Sequence, residues 1–150
     1  MSSVHIIYAS TSGHTEYVVD QVITALQGVQ VEKQRAELAQ PEDLLKGDML
    51  LLASGTWNTG GVEGQLNPHM DELLRKRAAG VDLGGKKVLL IALGDSRYRY
   101  TANAMVHLEE FVKSHNGIVV EPTLKIINEP YGQEGKIRQW ADQLLSFLAS

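Results

Sequence analysis

The 150 residues contain no cysteine. That one absence excludes disulfides, thiolate zinc sites, iron–sulfur clusters and a cysteine nucleophile. There is no positive excess either: the net charge is −4, which argues against a nucleic-acid partner. No apolar run approaches the roughly 20 residues that span a bilayer, so no membrane partner is expected. The N-terminus enters a strand-like run without a basic, apolar, small-residue leader pattern, and the expected location is cytoplasmic. Repeats, low-complexity tracts and linkers are missing. The chain is therefore read as one domain over 1–150, long enough for a substantial core. The histidines show no metal-ligand spacing, and no metal site is expected. Hydrophobic residues make up 43% and charged residues 21%, an ordinary globular profile.

Apolar runs at 4–9, 49–53 and 88–93 read as buried strands. Val29-Gln30-Val31-Glu32 alternates like a half-exposed edge strand, and a last strand begins at Ile118-Val119-Val120 and resumes near Leu124-Lys125-Ile126. Helical spacing runs from His14 to Leu26, with Gly28 placed to end it. Pro41-Glu42-Asp43 opens a short helical turn that Gly47 closes. Asn67 stands as N-cap with Pro68 at the first helical position. Further helices carry Met105, Leu108 and Val112 on one face, and Ile137, Trp140, Leu144, Leu145 and Leu148 on another. Strand and helix alternate five times, which predicts a doubly wound parallel sheet with helices on both faces.

In such folds ligands sit beyond the carboxyl ends of the strands. Three distinctive loops, 10–15, 54–61 and 94–100, all follow apolar strands and so belong at one end. The first is Ser10-Thr11-Ser12-Gly13-His14-Thr15. It joins a strand to a helix N-terminus, whose free N–H groups and dipole attract anions. Four hydroxyls can donate to phosphate oxygens, and Gly13 lets backbone come close. The loop has no Lys or Arg, is not a Walker A motif, and lacks G-x-G-x-x-G. Simple capping of an ordinary helix explains the same residues. The other two loops set Trp57 and Tyr98 in polar company. Each aromatic alone could fold back on the core. Facing one another beside a phosphate cradle, they suit a phosphorylated ligand with a planar ring.

With these motifs in order, the whole chain resembles the flavodoxins. Ser10 to Thr15 is similar to their phosphate loop, T/S-x-T/S-G-x-T; Ser54-Gly55-Thr56-Trp57-Asn58 is similar to their first flavin loop, and Gly94-Asp95-Ser96-x-Tyr98 to their second. The resemblance implies strand order 2-1-3-4-5, tightly bound FMN and one-electron transfer. The last strand leaves little room for the insertion of long-chain members, so the short-chain type is implied. By the same resemblance Ser10, Thr11, Ser12, Gly13, His14 and Thr15 would bind the phosphate, and Trp57 and Tyr98 would flank the isoalloxazine. Ser54, Gly55, Thr56, Asn58, Thr59 and Gly60 would line the ring through the first loop. Gly94, Asp95, Tyr100, Thr101 and Ala102 would line its pyrimidine edge. The Asn58–Thr59 peptide would rotate on reduction and present the Asn58 carbonyl to the flavin. Asn is tolerant of unusual φ at such a pivot.

The implied partners are redox proteins: an NAD(P)H-dependent flavodoxin reductase or similar donor, and an acceptor oxidoreductase, with the carrier itself a monomer. The family is usually acidic around the flavin. Here the two flavin loops hold only Glu63 and Asp95 as acids and carry Arg97 and Arg99, which predicts a milder reductant. A flavin enzyme acting on nicotinamide or quinone remains an alternative, as does a dedicated reductase partner of the biotin-synthesis or ribonucleotide-reductase-maturation type. A receiver-type phospho-switch shares the topology, but it needs acids where Ser10 and Ser54 stand.

Overall fold

The computed structural model describes residues 2–97 and 101–148. β1 (Ser3–Ala9) and β3 (Met49–Trp57) are almost wholly buried, as the apolar runs at 6–9 and 49–53 within them require. β5 (Lys87–Gly94) completes the centre of the sheet. β2 (Gln30–Arg35) lies outside β1, and its six residues QVEKQR are exposed or half-buried. The order is β2-β1-β3-β5, all parallel, and the fifth position is shared by two short strands. β6 (Ile118–Val119) pairs with the start of β5 and β7 (Leu124–Ile127) with its end. This is the expected 2-1-3-4-5 order with a broken last strand.

Successive residues of each central strand face opposite sides. Ile6, Tyr8, Leu51 and Ala53 therefore pack with α1 (His14–Ala25) and α4 (Glu134–Leu148). Ile7, Ala9, Leu50 and Leu52 pack on the other face against α2 (Pro68–Glu72) and α3 (Ala104–Ser114). Asn67 caps α2 as expected, its Oδ1 accepting the His69 N–H at 2.9 Å. α2 runs directly into a π-helical turn, Leu73–Arg77.

One difference matters for the site. β3 continues past Ala53 to Trp57, and the short antiparallel β4 (Gln65–Leu66) pairs with its end, Thr56 opposite Leu66 and Trp57 opposite Gln65. The segment that sequence reads as a free loop is thus the tip of a hairpin.

Candidate functional site

The strand register brings the carboxyl ends level. Ala9 lies opposite Ser54, Gly55 opposite Leu93, and Gly94 opposite Ile127. The segments that leave these residues surround an open cavity of about 920 Å³, at the upper end of the range for small-ligand sites.

On one side the cavity meets the start of α1. Gly13 is the N-cap with φ +93°, a left-handed conformation that side-chain-bearing residues rarely adopt. The N–H groups of Gly13 and Glu16 are taken by the Ser10 Oγ, at 3.2 and 3.3 Å. Among the described residues, the N–H groups of Thr11, Ser12, His14 and Thr15 have no partner. Thr11, Ser12, His14 and Thr15 all line the cavity. Unpaired donors at a helix N-terminus form an anion cradle. The loop has no cation of its own, but the Arg35 guanidinium donates to the Ser10 carbonyl from the end of β2. Arg35 also binds Glu37, its Nε donating at 2.9 Å, and stands 3.7 Å from Glu16. Glu16 is held below the usual carboxylate range, first by the Tyr8 hydroxyl that donates to it at 2.7 Å and then by Lys33. The charges behind the cradle are therefore paired with each other.

Trp57 forms another wall. It is 37% exposed and its indole lies over Gly55, where an added Cβ would be 3.2 Å from Nε1. The aromatic does not fold into the core. Asn58 follows it, and its carbonyl accepts the Gly61 N–H at 2.9 Å, so it is turned into its own tip rather than into the cavity. Gly60 and Gly61 both have positive φ there.

The segment after β5 forms a third wall. Asp95 accepts from the Arg97 Nε and, at 2.6 Å, from its Nη2. These bonds, with the Arg97 N–H, hold the Asp95 carboxyl down to about 2. The Thr101 Oγ1 donates to the Asp95 carbonyl at 3.0 Å, and Ala102, with φ +54°, packs its backbone on Gly94.

Of the predicted residues, Thr11, Ser12, His14, Thr15, Gly55, Thr56, Trp57, Asn58, Gly94 and Asp95 meet in the cavity wall. Seven other predicted residues that the structure describes, Ser10, Gly13, Ser54, Thr59, Gly60, Thr101 and Ala102, stand behind that wall. Ser10 spends its hydroxyl oxygen on two amides, and Gly13 turns the backbone. Ser54 is fully buried, its Oγ donating to the Gly55 carbonyl and accepting the Asn67 N–H. Thr59 donates to the Leu66 carbonyl at 2.5 Å, and Gly60 forms the hairpin tip. Thr101 and Ala102 brace the segment as described above. Tyr98, Arg99 and Tyr100 lie outside the described residues.

The structure also adds a wall that the sequence reading omits. Asn128 and Glu129 line the cavity from the segment after β7. The Asn128 Oδ1 accepts the Ser96 N–H at 2.9 Å and its Oγ–H at 3.1 Å, and the Asn128 N–H donates to the Gly94 carbonyl at 2.7 Å. The rule that ligands sit beyond strand carboxyl ends applies to this strand too, and would have found it. Glu129 joins Glu63 and Asp95 as a third acid of the wall.

An anion cradle and a partly exposed tryptophan on one cavity fit a phosphorylated flavin. Known proteins point the same way. The family model for flavodoxin matches residues 6–140. The flavodoxin of Nitratidesulfovibrio vulgaris (strain Miyazaki F) is 30% identical over 99% of this chain and 100% of its own. Among solved structures, oxidised flavodoxin 2 from Bacillus cereus is similar with TM-score 0.84 and 29% identity, over 94% of this chain and 96% of its own. The Fusobacterium nucleatum flavodoxin bound to flavin mononucleotide has the same fold, with TM-score 0.78 and 18% identity over 99% of each chain. The chain belongs to the flavodoxin family.

Proposed function

We propose that this flavodoxin holds FMN across the four loop segments, with the phosphate at the start of α1 and the ring against Trp57. As a family member the chain is an FMN-binding electron carrier, and FMN supplies the one-electron chemistry. The observation that carries the placement is the convergence of unpaired N–H groups and Trp57 on one cavity, where a Cβ at Gly55 would lie 3.2 Å from the Trp57 Nε1 and 3.8 Å from the Thr15 Oγ1. Thr11, Ser12, His14 and Thr15 bind the phosphate with backbone N–H and hydroxyl donors. Trp57 covers one ring face and excludes water from it. Thr56 is a positioning residue: its hydroxyl donates to the Leu93 carbonyl at 2.8 Å and accepts the Ala104 N–H at 3.1 Å, tying the two flavin loops together. By the second flavin-loop motif, Tyr98 and Tyr100 would be the further residues that hold the ring. The Asn58 carbonyl, bonded to the Gly61 N–H at 2.9 Å, would be free to hold the ring if the Asn58–Thr59 peptide rotated.

Electrons of low potential pass between redox partner proteins. We assign the donor as an NAD(P)H-dependent flavodoxin reductase or similar protein, and the acceptor as an oxidoreductase. The 150 residues act as a single domain, a monomer in the cytoplasm. No helix among the described residues is long and apolar enough to cross a membrane.

The test is purification, acid precipitation and chromatography of the supernatant. A yellow protein that releases FMN, near one per chain, is expected. A colourless protein that does not quench the fluorescence of added FMN overturns the placement.

A further inference from the structure

We infer that Asn67, beyond capping α2, is a positioning residue that aims the Thr11 hydroxyl proton into the cavity, toward the FMN phosphate. Asn67 is 1% exposed and makes four directed bonds. Its Oδ1 accepts the His69 N–H at 2.9 Å, its N–H donates to the Ser54 Oγ at 3.0 Å, and its carbonyl accepts the Asp71 N–H at 2.8 Å. Its Nδ2 donates to the Thr11 Oγ1 at 3.0 Å.

The polarity of these bonds is forced. The His69 N–H is a donor, so the carboxamide atom facing it is the oxygen. The other atom is then the NH₂, which only donates. Thr11 Oγ1 must therefore accept in this bond, and its own proton has to leave in another direction. Thr11 lines the cavity and has no other side-chain partner among the described residues. A hydroxyl oriented in advance as a donor binds an anion without the cost of reorienting. The helix cap thus fixes the amide, and the amide fixes the hydroxyl. Ser54, on the neighbouring strand, holds Asn67 from behind, so the phosphate side and the ring side of the site share one brace.

Aspartate at this position caps α2 equally well, but a carboxylate only accepts. Thr11 would then have to turn its proton away from the cavity. Serine caps the helix, stays neutral, and is too short to reach Thr11. The inference rests on the phosphate lying at the start of α1, and riboflavin, which lacks the phosphate, separates the two ideas.

The full chain is stripped of flavin and titrated with FMN and with riboflavin. This is done for wild type, Asn67→Asp, Asn67→Ser, Thr11→Val and the Asn67→Ser/Thr11→Val double variant. Wild type is expected to prefer FMN. Asn67→Asp should lower that preference about tenfold or more, the scale of a hydrogen bond to a charged group. Asn67→Ser should lower it severalfold, with riboflavin affinity unchanged. In the Thr11→Val background, where there is no proton to aim, Asn67→Ser should change the preference by less than about twofold. If wild type binds both flavins equally, the phosphate placement fails and the inference fails with it. If wild type prefers FMN but Asn67→Ser leaves the preference unchanged, the inference alone is wrong. It is equally wrong if Asn67→Ser weakens both flavins alike, or acts undiminished without the Thr11 hydroxyl.

Discussion

Replacing Gly94 by alanine adds one methyl group where the second flavin segment folds back on its own strand. A Cβ there would lie 2.1 Å from the Ala102 nitrogen, 2.8 Å from its Cα and 3.1 Å from its Cβ. Ordinary contact begins at 3.4 Å, so the backbone at Ala102 has to retreat by about 1.3 Å. Backbone cannot rotate away as a long side chain would. The retreat pulls on Thr101, whose hydroxyl is bonded to the Asp95 carbonyl, and on the Gly94 carbonyl that accepts from Asn128. Overpacking of this kind costs about 1–3 kcal/mol. If the free protein relieves it by moving the segment, FMN has to restore the segment on binding, and affinity falls roughly 5- to 150-fold. Gly55→Ala is the comparison for stability: its Cβ would meet the Trp57 indole at 3.2 and 3.5 Å and the Thr15 Oγ1 at 3.8 Å, side chains that can give by a few tenths of an ångström, so it should unfold like wild type. The assay is fluorescence-quenching titration of FMN on both variants, with urea unfolding to record stability. Wild-type affinity together with wild-type stability in Gly94→Ala would refute the reasoning, because the methyl group would then have been accommodated without moving the segment.

Trp57→Ala should weaken FMN binding by the lost ring contact, about 0.5–1.5 kcal/mol beyond the area effect; unchanged affinity in the same titration would mean that the indole does not touch the flavin. Arg97→Glu should lower the potential of the more negative flavin couple at low salt. A unit charge about 10 Å away at an effective dielectric near 40 contributes ~0.8 kcal/mol, or tens of millivolts. The existing pairing with Asp95 and an 81% exposed side chain reduce this further, and a redox titration that shows no fall at low salt disproves the link. Asp43→Asn should destabilise the fold at neutral pH. Burial pushes the Asp43 carboxyl up, but the Gln40 N–H, Lys46 and Gln34 together hold it down to about 2. A depressed carboxylate contributes stability above its unfolded value of 3.8 and loses it as pH falls through about 2. The gap between wild type and variant, on the order of 2 kcal/mol, should therefore be full at pH 7 and shrink from pH 4 to pH 2 in urea titrations.

The sheet order and most of the wall are legible in the sequence because they rest on strong local signals. The runs at 49–53 and 88–93 are apolar on every residue, so both faces have to be covered, and the polar segments after them have to share one end. β7 itself is read, at Leu124-Lys125-Ile126, but the fourth wall is not, because Asn128 and Glu129 after it fall in none of the three motifs that carry the resemblance. The β3–β4 hairpin escapes a sequence reading because β4 has only two residues, and Gly55, a type depleted in strands, interrupts the run before Thr56 and Trp57. Ser10 illustrates a different limit. Its residue type announces a donor for phosphate; the structure adds that its oxygen accepts from two amides of the loop, which leaves the O–H as its remaining bond. Asn67 is legible as a cap, whereas its second bond to Thr11 joins residues 56 apart in sequence. Long-range polar contacts of this kind leave no periodic trace.

The polar composition of β2 has a consequence for the molecule as a whole. Among the described residues β2 pairs with β1 alone, so its outer side offers unsatisfied backbone groups to any extended chain that approaches. Open edges of this type template fibrous aggregation. Here the strand consists of Gln30, Val31, Glu32, Lys33, Gln34 and Arg35. A second copy laid against it in register would have to bring like charges together and bury them. Lys33 and Arg35 are also committed to Glu16, Asp20 and Glu37 on the same molecule. The edge therefore discourages sideways growth of the sheet, and it does so beside the strand ends that bear the flavin segments, leaving that face clear for transient meetings with other proteins.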